Sequence, residues 1–343
     1  MVWPLTYRIV EEPYKTASRV ENSTDFATRD RYRHSMAHVK TYTPSQDRIV
    51  LGVALMVAFC VTAPVLDMFS KLAAAQIPVG QITTARFIVQ AIIMLPVMIL
   101  VRDPLILPRR LVPALILRSI FLIASTYCFV AAISVMPIAD ALAIAFIEPF
   151  LLLLVGKYVY GETVGPRRLG ASVVGFIGVI LVIQPSFAAF GAVALYPLGT
   201  AVFFGLYMLA TRRISRNMSA IGMQYHTAWI GAVMCLPILV IADGSGIVAL
   251  DPVMPSGIFW LWLFGVGAAA ALSHIFMSYA LSYAPSSTLA PLHYLEIVSA
   301  VALGYLVFGD LPNRVAVLGM IIIISSGLYV IYREQKVARA AQL

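Results

Sequence analysis

Residues 132–162 read AISVMPIADALAIAFIEPFLLLLVGKYVYGE, and residues 280–310 read ALSYAPSSTLAPLHYLEIVSAVALGYLVFGD. At a constant offset of 148 the two stretches align without a gap over 31 columns. Ala132 falls on Ala280, Ser134 on Ser282, Pro137 on Pro285, Glu148 on Glu296, Gly156 on Gly304, Val159 on Val307 and Gly161 on Gly309. Glu162 meets Asp310. Drift among apolar residues does not duplicate a carboxylate in the middle of a hydrophobic run. Internal repeats with ionisable groups near the bilayer midplane are a sequence signature of secondary transporters.

Working outward, the 343-residue chain is 61% hydrophobic and only 12% charged, with a mean hydropathy of +0.90. A soluble surface needs far more charge. A spanning helix takes about 20 mostly apolar residues, and ten such stretches fit: 49–70, 80–101, 112–134, 137–156, 168–184, 192–211, 223–242, 257–281, 286–307 and 315–332. The expected fold is therefore an all-α integral membrane protein, ten transmembrane helices arranged as two inverted five-helix repeats. Residues 49–184 form the first repeat and 192–332 the second, with a polar tail at 1–48 and a short basic tail at 333–343.

Basic residues set the orientation. One set of loops and the C-terminal tail hold Arg102, Arg109, Arg110, Lys157, Arg167, Arg168, Arg212, Arg213, Arg216, Arg333, Lys336 and Arg339. The opposite side has Lys71 and Arg314, with Asp243 and Asp251 in its long loop. The positive-inside rule then puts both termini in the cytoplasm of a cell with an inner membrane. The net charge of +8 is a topology signal; nucleic-acid binding would need the cations gathered on one soluble face. The N-terminal tail mixes Arg8, Lys15, Arg29 and Arg33 with Glu11, Glu12, Asp25 and Asp30 and has no apolar h-region, which reads as a disordered cytoplasmic segment and not a signal peptide. Five spans per half force the second half into the membrane upside down. The charges agree: Lys157, Arg167 and Arg168 follow span 4, whereas its repeat partner, span 9, is followed by Arg314 alone.

Two longer stretches carry a family likeness: ALAIAFIEPFLLLLVGKYVYGETVGPRRLGASVVGFIGVILVIQP from Ala141, and LAPLHYLEIVSAVALGYLVFGDLPNRVAVLGMIIIISSGLYVIYRE from Leu289. They resemble the two half-repeats of the EamA family of the drug/metabolite transporter superfamily. The likeness covers about residues 49–334 and rests on spans 4 and 9, the Gly-Glu or Gly-Asp closing each, and the Gly-rich fifth span of each half. It implies a ten-helix inner-membrane carrier. It supplies no substrate, because the family's members carry amino acids, nucleotide-like and flavin-like metabolites, and drugs.

Glu148 and Glu296 are the first candidates for binding a substrate or a proton. Each lies 11 residues past a proline that opens its span, or ~16 Å at 1.5 Å per residue, so both reach mid-membrane from opposite faces. A charge there costs ~2.5–3.5 kcal/mol on insertion scales. Each must face a cavity, find a donor on a neighbouring helix or stay protonated. Pro149 removes a backbone donor and permits a kink. His293 shares a helical face with Glu296, and His274 and His226 lie in neighbouring spans; histidine titrates near neutrality, so a His–Glu relay is an option beside plain interhelical hydrogen bonding.

Asp67, Lys71 and Arg86 form a second constellation, expected at the outer mouth. One cation neutralises Asp67, leaving the other for an anionic substrate group, unless Lys71 snorkels to the interface. Tyr127, Phe129, Phe146, Phe150, Tyr225, Trp229, Phe276, Tyr279 and Tyr294 are the aromatic candidates for stacking on a planar substrate, with Tyr279, Tyr294 and Trp229 foremost, although such rings also serve as packing or interfacial anchors. Small residues in spans 5 and 10 (Gly170, Gly175, Gly178; Gly319, Ser325, Ser326, Gly327) suit close packing within the chain or in a homodimer.

No Walker loop, Ser/His/Asp arrangement, HExxH or Cys–His spacing appears, so neither ATP drive, catalysis, a metal site nor a cofactor is expected. Cys60, Cys128 and Cys235 read as packing thiols. Partners are then a small-molecule substrate and membrane lipids, with no nucleic acid. The leading expectation is alternating-access transport of a small amphipathic metabolite, riboflavin-like or an aromatic or zwitterionic amino acid. Proton-antiport export is the alternative, and a membrane enzyme on lipid-linked substrates is a more distant one.

Overall fold

The computed structural model describes residues 46–158, 165–214, 217–284 and 289–340. Most of the N-terminal tail, Gly161 and Glu162, Arg216, Pro285 and the last three residues lie outside them. The described residues form helices α1 (Gln46–Ala73), α2 (Val79–Leu100), α3 (Val112–Ile133), α4 (Ile138–Ala145) and α5 (Glu148–Tyr158). These are followed by α6 (Pro166–Phe190), α7 (Tyr196–Ile214), α8 (Ala220–Ala242), α9 (Phe259–Tyr283), α10 (Leu295–Leu303) and α11 (Arg314–Ala340). Eight stretches are long and apolar enough to span a membrane; one of them, Leu169–Thr211, contains both α6 and α7, and Leu292–Phe308 is a shorter apolar piece. Ten segments result. The last helix continues to Ala340, through most of the expected basic tail.

The packing order reveals the duplication. Span 1 packs on span 8, 2 on 7, 3 on 6, 4 on 9 and 5 on 10. Exchanging the halves, so that span n becomes n+5, turns pair 1–8 into 6–3 and returns each of the others to itself. The set of contacts is thus two-fold symmetric, as an inverted repeat of five helices requires. Every one of these pairs joins the first half to the second.

The two ends of the bundle differ as the loop charges anticipate. At one end the loop holding Arg102, Arg109 and Arg110 meets the start of α8, where Ser219 donates to Asp103 and accepts from the Gly222 N–H at 2.9 Å, capping the helix. At the other, the 243–258 loop packs on the start of α2: Gly80 N donates to Ala249 O at 2.9 Å, and Gln81 exchanges two hydrogen bonds with the Val253 backbone. Unpartnered apolar side chains such as Phe176, Ile177, Ile241 and Leu318 face outward, where lipid replaces water as solvent.

Spans 5 and 10 cross with their backbones in near contact. A Cβ on Gly178 would stand 2.9 Å from Gly319 O, and one on Gly319 would stand 2.6 Å from Gly178 O. The Cβ position of Gly175 is filled by the Phe150 ring and Ser326. These small residues are therefore used within the chain. Gly319→Val should cost about 1–3 kcal/mol through overpacking. It should lower the temperature at which detergent-solubilised protein loses its monodisperse elution profile, while Gly170→Val, with no heavy atom within 4 Å of its Cβ, should not.

Spans 4 and 9 depart from the continuous helices expected at 137–156 and 286–307. Span 4 breaks at Phe146–Ile147, between α4 and α5. Pro149 cannot donate to the carbonyl of Ala145, four residues back, so the ladder fails there. In the described part of span 9 a 3-10 turn, Ala290–Tyr294, which contains Pro291, precedes α10. It ends in a π-turn, Gly304–Phe308. Gly309, at φ 71°, takes the left-handed position that glycine adopts without strain.

Candidate functional site

The two breaks put both repeat glutamates at the start of a half-helix. Glu148 opens α5 and Glu296 is the second residue of α10. Helix N-termini carry unsatisfied N–H groups and a partial positive charge, which favour a carboxylate. Both side chains line one central cavity of about 190 Å³. It is walled by Phe59, Ala63, Leu66 and Asp67 of α1, Arg86 of α2, Ser125, Thr126 and Phe129 of α3, Phe146 at the span 4 break, Thr200 and Phe204 of α7, Ser273 and His274 of α9, and His293.

Six of the residues singled out from sequence thus meet in one place: Glu148, Glu296, His293, His274, Asp67 and Arg86. Asp67 and Arg86 do not form an outer-mouth cluster with Lys71. Lys71, one helical turn further along α1, turns away and pairs with Asp310 at 2.6 Å. It also donates to Met136 O at 3.1 Å and lies 4.7 Å from the Phe308 ring centre. The reason is the turn at Gly309, which carries Asp310 back over the end of span 9, within reach of the ammonium group.

Three of the aromatic candidates sit elsewhere. Tyr279 stacks on Tyr283. Trp229 donates from Nε1 to His226 Nδ1 at 2.9 Å and packs beside Leu111, Leu115 and Met223. Tyr294 is buried against Gly327, its ring 5.3 Å from that of Phe146, so it backs the cavity wall without lining it. The rings facing the cavity are Phe129 and Phe146, both among the candidates, with Phe59 and Phe204, which were not. Phenyl rings satisfy themselves by packing, whereas a buried tyrosine hydroxyl or indole N–H needs a partner.

The polar groups divide by partner. Glu296 Oε2 lies 2.9 Å from His293 Nε2, and the His293 ring is flanked by Phe59 and Phe146 at 5.5 and 5.3 Å. Cys60 Sγ donates to Leu292 O at 3.2 Å, tying α1 to the 3-10 turn. Glu148 Oε1, buried, has no hydrogen-bond partner among the described residues. Asp67 is within electrostatic reach of Glu296 and Arg86 but forms no direct ion pair among the described residues. Arg86 donates to Thr126 Oγ1, approaches His274 Nε2 at 3.4 Å and leaves its Nε without a partner. Glu148 and Arg86 thus both line the cavity, and each keeps one buried polar atom without a partner among the described residues. Among the described residues no cluster of three or more His, Cys, Asp or Glu is placed to hold a metal ion.

Sequence reasoning overlooked Arg118, a lone cation in the apolar run of α3 and 1% exposed. The signal was the one that exposed Glu148: a single charge in a spanning helix. Its partners Tyr207 and Thr211, like Gln90 and Gln224, carry no such mark, because uncharged polar residues in spans are common.

Residues 50–184 and 191–333 each match the EamA-like transporter family. Among curated proteins, the S-adenosylmethionine uptake transporter of Rickettsia prowazekii is 25% identical over 83% of this chain and 94% of its own. The pseudopaline exporter CntI of Pseudomonas aeruginosa is 25% identical over 81% and 95%, and a riboflavin transporter of Rhizobium johnstonii 27% identical over 61% and 66%. A solved crystal structure shares the fold at a TM-score of 0.55, with 16% identity over 82% of this chain and 96% of that one.

Proposed function

Because the chain belongs to the EamA-like transporter family, and so is a multi-pass membrane transporter of small metabolites and not an enzyme, we propose that its cargo is an amino-acid-type zwitterion. The observation that carries this reading is the division of charge across one cavity. Glu148, Asp67 and Glu296 suit an ammonium or other cationic group, while Arg86 suits a carboxylate. Four phenyl rings between them suit an apolar or aromatic remainder. S-adenosylmethionine has this chemistry: an ammonium, a carboxylate, a sulfonium and an adenine ring. A riboflavin-like cargo uses the rings but leaves the acid–base division without a role.

Size refines the proposal. About 190 Å³ holds an aminocarboxylate head, whereas pockets for larger ligands run ~300–1,000 Å³. A nucleoside-sized tail then requires the halves to separate, which alternating access provides. On this reading the protein sits in an inner membrane, with the arginine-rich end of the bundle and both termini in the cytoplasm.

Uptake of radiolabelled S-adenosylmethionine and a panel of amino acids and flavins into proteoliposomes tests the cargo. Uptake should be saturable and competed by zwitterionic compounds, and Arg86→Gln should raise KM for a carboxylate-bearing substrate about tenfold, the weight of one charge-assisted hydrogen bond of ~1.4 kcal/mol. Riboflavin uptake without uptake of any aminocarboxylate would refute the reading.

A further inference from the structure

Arg118 is a buried cation without a carboxylate partner among the described residues. Its Nη2 donates to Tyr207 Oη at 2.6 Å, its Nε to Thr211 Oγ1 at 2.8 Å, and its Nη1 to Met223 O at 3.1 Å and to Thr227. The guanidinium carbon lies 4.3 Å from the Tyr207 ring centre. One side chain therefore binds α3, of the first repeat, to α7 and α8, of the second. It does so one helical turn beyond Leu122, which lines the cavity, and toward the arginine-rich end. On α7, Tyr207 likewise follows the cavity-lining Phe204 by one turn.

From this cluster a line of polar groups returns to the cavity. The Gln224 amide lies 3.4 Å from Tyr207 Oη and 3.5 Å from His274 Nδ1, and His274 Nε2 lies 3.4 Å from Arg86 Nη2. Donor arithmetic orders it. A guanidinium only donates, so His274 Nε2 accepts, the imidazole is neutral and its proton is on Nδ1. That N–H needs an acceptor, and so does the Tyr207 O–H, since Tyr207 oxygen already accepts from Arg118. Gln224 Oε1, otherwise without a partner, serves both once the amide is turned, a rotation its symmetry of shape allows. The turn leaves the amide nitrogen unpartnered in place of the oxygen and trades a hydrogen bond donated to Tyr207 for one accepted from it, but it removes the donor–donor contact with His274 Nδ1. Arg86 and His274 from one side, Arg118 and Tyr207 from the other, then converge on one oxygen.

We propose that Arg118, Tyr207, Gln224 and His274 are positioning residues that couple the orientation of Arg86 at the cavity to closure of the arginine-rich end of the bundle. The proposal rests on the reading of Arg86 as the carboxylate ligand. A carboxylate arriving at Arg86 competes with His274 Nε2 for the guanidinium. His274 loses its donor, its hold on Gln224 slackens, and the Arg118 clasp between the two repeats weakens. By linkage, parting α3 from α7 and α8 must change carboxylate affinity by the same factor.

Tyr207→Phe removes the hydroxyl and keeps the ring beneath Arg118. In proteoliposomes it should lower KM for S-adenosylmethionine about fivefold and leave that for its decarboxylated analogue unchanged; Arg118→Lys should do the same. In parallel, Ala63→Cys places a thiol in the cavity. Its labelling by a membrane-impermeant maleimide applied from the arginine-rich side, corrected for the parent carrying Ala63, should rise about threefold with Tyr207→Phe as the closed state loses population. A rise in KM for S-adenosylmethionine, equal changes in KM for both compounds, or unchanged labelling in both variants would show that the cluster is only structural. If the wild type transports neither compound, the cargo reading falls, while labelling still decides whether Arg118 and Tyr207 hold that end closed.

Discussion

Glu148→Gln is expected to cut the uptake efficiency, kcat/KM, of an amine-bearing substrate by about 10–150-fold, the equivalent of the ~1.5–3 kcal/mol of a hydrogen bond to a charged group. The amide keeps the shape of the side chain and its place at the start of α5, so membrane abundance should not change. What it loses is the charge of the one repeat glutamate whose Oε1 is buried without a partner. Glu296→Gln acts on a different environment. Its carboxylate already has His293 at 2.9 Å, so neutralising it strands an imidazole as well as removing a charge. If the Glu296–His293 pair carries a proton through the transport cycle, wild-type uptake should respond to an imposed pH gradient and the Glu296→Gln variant should not. Both measurements use the same vesicles. Full uptake by Glu148→Gln at equal abundance would remove it from the binding site and leave it as a remnant of the duplication.

The duplication and the two glutamates were legible because both signals are large. Period, charge asymmetry and a repeated carboxylate each survive without any knowledge of contacts. The breaks in spans 4 and 9 were only half legible. Pro149 announces a kink, but nothing in LAPLHYLE says that a 3-10 turn gives way to an α-helix one residue before Glu296; that depends on how α1 packs and on the Cys60 bond to Leu292 O. The charge partners were not legible. Asp67, Lys71 and Arg86 are close in sequence and share an end of the bundle, yet Lys71 finds Asp310, 239 positions away. Local spacing suggests which charges can meet, and the crossing of the two repeats decides which do. Of the aromatics that the sequence offers for the cavity, Phe129 and Phe146 reach it, while Tyr279, Tyr294 and Trp229 do not. The fold spends Trp229 on His226 and gives the cavity to phenylalanines, whose rings leave no polar atom to satisfy.

Lys71→Met and Asp310→Asn should each lower the maximal uptake rate at least tenfold, and the double variant should lose little more than either single one. Lys71 lies one turn beyond the cavity-lining Asp67, at the end of the bundle opposite Arg118. Its ammonium joins α1 and Met136 O, both of the first repeat, to Asp310 of the second. The pair is largely shielded, with side-chain exposures of 16% and 29%. Removing one member leaves the other charge short of its partner, a loss of about 2 kcal/mol by the weight of a charged hydrogen bond, or about 30-fold in the population of the state it closes. A transporter that cannot close one end while the other opens loses rate, whereas its cavity, one turn away, keeps its ligands and KM moves little. A double-mutant cycle separates this from simple destabilisation. Strong coupling between the two positions identifies a shared contact, and strictly additive losses in rate would show that Lys71 and Asp310 act independently and that this end closes by other means.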